Sequence, residues 1–122
     1  MGKFQLKKNE KGVSFNLLAT NGQVIASSQV YKSERSAKAG IASVAKNAPA
    51  AKIEDQTVEK FAKQANPKFE IYADKAGKFR FRLKATNGQI IAVGEAYETL
   101  KACQNGVASV AKNAADAKIV EA

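Results

Sequence analysis

The chain states one pattern twice, and that repetition constrains its fold more than any other feature. Residues 15–53 read FNLLATNGQVIASSQVYKSERSAKAGIASVAKNAPAAKI, and residues 81–119 read FRLKATNGQIIAVGEAYETLKACQNGVASVAKNAADAKI. At a constant shift from Phe15 to Phe81, roughly half of the positions are identical and most others are close exchanges, a self-similarity that marks duplicated supersecondary units. Two units are too few for a stacked solenoid, which needs three or more. One unit of about 55 residues is marginal as an independent core. The two are therefore expected to share a core as a single pseudo-two-fold domain. Repeat one spans 3–54, a linker 55–67 and repeat two 68–121.

Each repeat opens with alternating residues. Phe4 and Leu6 alternate with Lys3, Gln5 and Lys7, and Phe69 and Ile71 with Lys68, Glu70 and Tyr72. A period of two marks a half-buried strand. A polar turn with glycine follows, one residue longer in the second copy. The next strand is clearest as Phe79, Phe81 and Leu83 alternating with Arg80, Arg82 and Lys84. It runs into Asn21-Gly22 or Asn87-Gly88, the dipeptide that suits a two-residue type I′ hairpin with φ > 0 at both positions. A third strand, 23–31 or 89–97, is apolar on both faces, as for a central or bulged strand. Ser33 and Thr99 are good helix N-caps. Ala37, Gly40, Ile41, Val44 and Ala45, with their counterparts from Cys103 to Ala111, then form one helical face. The residues are small, so the helix is expected to lie close to the sheet or to its twin, nearest at Gly40 and Gly106. Asn47 and Asn113 fall where an αL C-cap belongs. A short strand ends each unit at Ile53 and Ile119, and Asp55 or Thr57 is positioned to cap a single helical turn in the linker.

These residues carry a family resemblance. An aromatic opening strand, F-x-L, the Asn-Gly-Gln turn, a Tyr before Ser or Thr, and G-[IV]-A-S-V-A-K-N-A together resemble the YegP-like family, small and mostly bacterial proteins with one or two copies of a domain of unknown function. The match covers both repeats. The resemblance implies an α+β fold in which a three-stranded antiparallel sheet is followed by a helix (βββα) and duplicated in tandem, with single-copy relatives pairing as dimers. It implies no established activity, so no functional residues carry over.

The chemistry is sparse. No histidine is present, which removes the commonest general base and metal ligand. Cys103 is the sole cysteine and occupies the apolar helix face, where a small buried hydrophobe is expected. Acidic residues are scattered, so the chain reads as non-enzymatic, with no cofactor and no metal. No apolar run approaches the ~18 residues of a membrane span, and the N-terminus has no hydrophobic core of a secretory signal. These readings point to a cytoplasmic protein without a membrane partner.

Net charge is the one composition signal with functional content. Twenty Lys and Arg against eleven Asp and Glu give +9, an excess that attracts polyanions and also serves solubility. The sharpest candidate is the stripe of Arg80, Arg82 and Lys84, extended by Lys78 and Lys68, with Tyr72 as a stacking surface on the neighbouring strand. Alternation spaces such cations ~6.5–7 Å apart on one face, near the spacing of successive phosphates, and arginine forks suit phosphate oxygens. The stripe is not duplicated, because Asn16 and Leu18 occupy the matching positions, and a solvated outer face would look the same. Tyr31 and Tyr97 read as hydrophobic staples. Lys46 and Lys112, with Lys52 and Lys118, read as partners of helix C-termini, since anions prefer N-termini. Expected partners are thus nucleic acid or an acidic protein, bound by a monomer with an internal pseudo-dimer. The alternative is a protein-interaction module using a sheet edge or the helix pair.

Overall fold

The computed structural model describes residues 2–115 and 117–121. The alternating segments form strands β1 (Lys3–Asn9), β2 (Gly12–Leu18) and β3 (Val24–Ser27). Helix α1 (Glu34–Asn47) follows, then a 3₁₀ turn (Ala48–Ala50) and β4 (Lys52–Asp55). The second half repeats this as β5 (Lys68–Ala73), β6 (Phe79–Lys84), β7 (Ile90–Val93), α2 (Leu100–Ala114) and β8 (Lys118–Glu121). Within each repeat the first three strands pair antiparallel, because short turns reverse the chain between them.

The separate three-stranded antiparallel sheets expected from the resemblance are corrected to one mixed sheet of eight strands, ordered β4-β5-β6-β7-β3-β2-β1-β8. The closing strands cross over. β4 leaves repeat one and pairs parallel with β5 of repeat two, while β8 returns to pair parallel with β1. The third strands meet at the centre, where Ser27 faces Val93. Exchange of the repeats maps this order onto itself.

Both helices pack on one face of the sheet. Ser33 and Thr99 cap them, their hydroxyls accepting from the backbone N–H of Ser36 at 3.1 Å and of Ala102 at 3.0 Å. Ala37, Ile41 and Val44, and Cys103, Val107 and Val110, are buried against Phe4, Leu6, Phe15, Leu17 and their counterparts Phe69, Ile71, Phe81 and Leu83. The aromatics repeat as a triad. Phe4 meets Phe15 edge-on at 5.8 Å between ring centroids and Phe15 stacks on Tyr31 at 6.2 Å; Phe69, Phe81 and Tyr97 do the same at 6.0 and 6.2 Å.

Several local expectations change. Gly40 and Gly106 do not mark contact between backbones; each leaves room for a ring. A Cβ on Gly40 would collide with the Tyr31 hydroxyl and approach its Cζ to 2.8 Å and Phe15 Cε2 to 3.1 Å. Tyr31 and Tyr97 lie two residues before the N-cap rather than in the staple position directly before it. Their role is to roof this notch. The Asn-Gly turns are not type I′, because only Gly22 and Gly88 have φ > 0 (+86° and +85°). Gly22 N–H donates to Ala19 O at 2.8 Å and Ala19 N–H to Gln23 O at 2.9 Å, enclosing a three-residue loop whose glycine supplies the left-handed step. A register shift between Leu17 and Leu18, repeated at Leu83 and Lys84, accommodates the irregularity. That bulge, together with the central placement of β3 and β7, explains their two apolar faces.

Asn47 is not a left-handed cap either. It stays helical (φ −86°, ψ −34°) and the chain runs on into the 3₁₀ turn. Its buried amide donates to Ser43 O at 2.8 Å and accepts from the Thr86 hydroxyl of the other repeat at 3.1 Å. Asn113 lies within α2 and donates to Ser109 O at 2.8 Å. Among the described residues no helix is long and apolar enough to cross a membrane.

Candidate nucleic-acid interface

The face of the sheet opposite the helices carries the charges. Phe69 and Ile71 point into the core, so alternation turns Lys68, Glu70 and Tyr72 of β5 outward. On β6 the register places Arg80 opposite Tyr72, Arg82 opposite Glu70 and Lys84 opposite Lys68. The structure therefore does bring the sequence-predicted residues Lys68, Tyr72, Arg80, Arg82 and Lys84 together on one face, with Lys78 just before β6. It also brings their counter-charges. Arg82 Nε donates to Glu70 at 2.6 Å while its guanidinium lies over the Tyr72 ring, 4.7 Å from the centroid. Lys84 reaches Glu70 at 3.3 Å, Lys68 reaches Glu54 at 2.9 Å and Glu70 at 3.2 Å, Arg80 binds Asp74 at 2.8 Å, and Lys78 pairs with Glu98. Every cation of the stripe is engaged by a carboxylate, and the ring proposed for stacking is covered by Arg82.

Glu54 and Glu70 are 2% and 3% exposed although they lie on the outer face: linker residues close on Glu54, and the side chains of Lys68, Arg82 and Lys84 gather on Glu70. Gln56 Nε2 donates to Glu54 at 2.6 Å and Gln64 N–H at 2.8 Å. The linker thus closes over Glu54 at the β4 edge of the sheet. Asp55 does cap a turn there, accepting from Thr57 N–H at 2.9 Å, but the turn is not helical. Burial works against ionisation of Glu54, yet the hydrogen bonds from Lys68, Gln56 and Gln64 outweigh it and hold its pKa down at about 2. Glu70 is likewise lowered, its burial more than offset by Arg82, Lys68 and Lys84. The bond to Glu54 chiefly raises Lys68. Carboxylates held this low are poor proton acceptors at neutral pH, so the network suits cohesion better than acid–base chemistry.

The other half of this face is different. Phe4 and Leu6 point inward, leaving Lys3, Gln5 and Lys7 outward on β1. Parallel register sets Lys118 of β8 beside Lys3, and antiparallel register sets Leu18, Asn16 and Ser14 of β2 across from the three. None of these outward positions is a carboxylate, and Lys3, Lys7 and Lys118 form no ion pair among the described residues. Neighbouring like charges on adjacent strands destabilise a sheet by a few tenths of a kcal/mol up to about 1. Lys3 and Lys7 were legible as outward from alternation alone. Lys118 was not, because its place beside β1 depends on the strand crossover. The carboxylate beside the stripe was legible, since Glu70 shares the alternation of Lys68 and Tyr72.

Related sequences occur among known proteins. The profile of the domain of unknown function DUF1508 matches residues 9–55 and again 74–121. The chain is 40% identical over 114 residues to the UPF0339 protein YegP of Yersinia pestis, covering 93% of this chain and 88% of that protein. A UPF0339 protein of Treponema denticola is 67% identical over 54 residues, which make up 44% of this chain but 93% of the relative. Among solved structures, the solution structure of YegP from E. coli, a protein of unknown function, superposes with a TM-score of 0.79 at 34% identity, covering 98% of this chain and 91% of that one. The UPF0339 protein of Shewanella oneidensis gives 0.79 at 31% identity, covering 98% and 90%.

Proposed function

Since this chain belongs to the DUF1508 family of domains of unknown function, we propose a role from its geometry: a non-enzymatic binding module that holds nucleic acid against the open half of its sheet. The observation that carries this reading is the carboxylate-free group of Lys3, Lys7 and Lys118. Lys3 and Lys7 lie about 13 Å apart along β1, spanning two phosphate intervals of an extended strand, with Gln5 between them as a hydrogen-bonding group. A phosphate backbone running along β1 would also relieve the repulsion between Lys3 and the adjacent Lys118. The contacts are to phosphate, so binding is non-specific in sequence. Arg80, Arg82, Lys84, Lys78, Lys68 and Tyr72 form the flank of this surface. Their charges are largely cancelled by Glu54, Glu70, Asp74 and Glu98, so they add less attraction than their number suggests. The protein acts in this reading as a cytoplasmic monomer in which the two repeats fold as one unit, each completing the other's sheet.

Fluorescence anisotropy with labelled single-stranded DNA and RNA between about 50 and about 200 mM salt tests it. The triple variant Lys3→Ala/Lys7→Ala/Lys118→Ala is expected to lower the salt slope by about 2, at about 0.7 per single-strand phosphate contact. Arg80→Ala/Arg82→Ala is expected to change the slope by much less. A triple variant that binds like the parent sinks the assignment. A protein partner is the second reading, favoured by Ile53 and Ile119, about half exposed on the edge strands β4 and β8. It predicts a salt-tolerant complex weakened by Ile53→Lys.

A further inference from the structure

Two clefts beside the helices are related by the exchange that relates the repeats. One, of about 350 Å³, lies between the C-terminal half of α1 and the Asn-Gly turn of repeat two; the other, of about 430 Å³, lies between α2 and the Asn-Gly turn of repeat one. In the first, Ser43, Lys46 and Asn47 of the helix face Thr86 and Asn87 of the turn. In the second, each of these is replaced by the same residue type from the opposite repeat. The single lining position that differs is Ala39, whose counterpart is Asn105. The repeats at large differ at roughly half of their positions, so the clefts are the better-matched part of the molecule.

Folding accounts for part of this identity. Asn-Gly makes the turn, and Asn47 ties helix to turn through Thr86. The lysine complements the last turn of its helix and makes no other commitment. Lys46 and Lys112 form no ion pair among the described residues, and no carboxylate lines either cleft. The hydrogen bonds also leave donors free. Ser43 Oγ accepts from Asn47 Nδ2 at 3.1 Å, so its O–H remains to donate. Asn87 uses one Nδ2 proton in a long 3.4 Å contact to Gln89 and keeps the other. The same bonds recur at Ser109 with Asn113, at 3.2 Å, and at Asn21 with Gln23, at 3.4 Å. At each helix end one carbonyl is already occupied, Ser43 O by Asn47 Nδ2 and Ser109 O by Asn113 Nδ2, and the lysine ammonium is the charge that must offset the remaining negative end of the dipole.

The geometry points to two equivalent sites, one at each junction of a helix with the other repeat's turn, for a small organic molecule bearing an oxyanion. The lysine ammonium would carry the charge, the serine hydroxyl and asparagine amide would donate to the oxygens, and Ala42 with Ala85, or Ala108 with Ala19, would wall the organic part. These sites lie on the helix side of the sheet, opposite the face toward which alternation turns Lys3, Lys7 and Lys118, and use different residues from the nucleic-acid reading.

Titration of the ¹⁵N-labelled chain with inorganic phosphate, and separately with acetate, tests the inference. The amides of Ser43, Lys46 and Asn87 are expected to shift with those of Ser109, Lys112 and Asn21 on one saturable, millimolar isotherm. Saturation with phosphate alone assigns phosphate monoesters; saturation with both extends the class to carboxylates. Lys46→Ala should abolish the response of the first set and spare the second, Lys112→Ala the reverse, and Lys75→Ala neither. No saturable shift by about 50 mM of either ion, shifts shared equally by lysines throughout the chain, or a response in one cleft alone would overturn the proposal.

Discussion

Replacing Gly40 by alanine tests the packing of the repeat most directly, because two effects of opposite sign compete there. In an exposed helix interior, Gly→Ala stabilises by about 1 kcal/mol. At Gly40 the added Cβ meets the Tyr31 ring, with Cζ at 2.8 Å, and Phe15 Cε2 at 3.1 Å. Neither ring can withdraw easily. Tyr31 is stacked on Phe15, and its backbone exchanges hydrogen bonds of 2.8 and 2.6 Å with Val13. Overpacking of a close-packed core costs about 1–3 kcal/mol, which exceeds the helix gain at most of its range. The expected net effect is a loss of about 0–2 kcal/mol, or up to roughly 10 °C in Tm for a chain of this length. Gly106→Ala, facing Tyr97 and Phe81 in the same way, should behave alike. Urea melts followed by circular dichroism, with an unchanged m-value, give the stability difference. Tyr31→Phe removes the colliding hydroxyl, so Tyr31→Phe/Gly40→Ala should lose less than the sum of the single changes. A stabilised Gly40→Ala protein, or strict additivity in the cycle, would refute the notch.

Three further outcomes follow from the same contacts. Glu54 has a folded pKa of about 2 against an ordinary 4.5, so its contribution is present above pH ~4.5 and is lost as pH falls toward 2. Glu54→Gln should therefore flatten the stability–pH curve in that window, by roughly 1–3 kcal/mol after allowance for solvent screening, and an unchanged acid transition would contradict the network. Burial pushes the Cys103 thiol up to about 11, so a thiol reagent at pH 8 should label the native protein far more slowly than the urea-unfolded chain; equal rates would contradict its burial. Asn47→Ala removes the bridge to the exposed Thr86 hydroxyl and the bond to the half-buried Ser43 carbonyl, with an expected loss of about 0.5–1.5 kcal/mol, read by the same melts; a loss no greater than that of an exposed Asn→Ala change would show that the bridge contributes nothing.

The elements were legible because their signals are local. Alternation at Phe4–Leu6 and Phe79–Leu83 reports side-chain direction within one strand, and the hydroxyls of Ser33 and Thr99 act within one helical turn. Turn type was less legible. Asn-Gly serves more than one hairpin geometry, and the bulge at Leu17/Leu18 favoured the longer loop. Of the stripe's counter-charges, Glu70 beside Arg82 and Lys84 was legible in the alternation of the first hairpin of repeat two, whereas Glu54 reaches Lys68 only through the strand crossover. The linker over Glu54 gave no periodic signal, since its backbone N–H at Gln64 and side chain at Gln56 act through tertiary contact.

From the sequence alone come the duplication, the strand and helix inventory, the inward faces and the positive charge, all consequences of residue type and spacing along one chain. Tertiary structure decided the rest: that β4 and β8 cross to the other repeat, that Lys118 therefore lies beside Lys3, and that Lys46 shares a cleft with Thr86. In a duplicated chain either copy offers an equivalent partner for each closing strand. The choice between self-pairing and exchange depends on the path of the chain after each helix, which no pattern within a single repeat encodes.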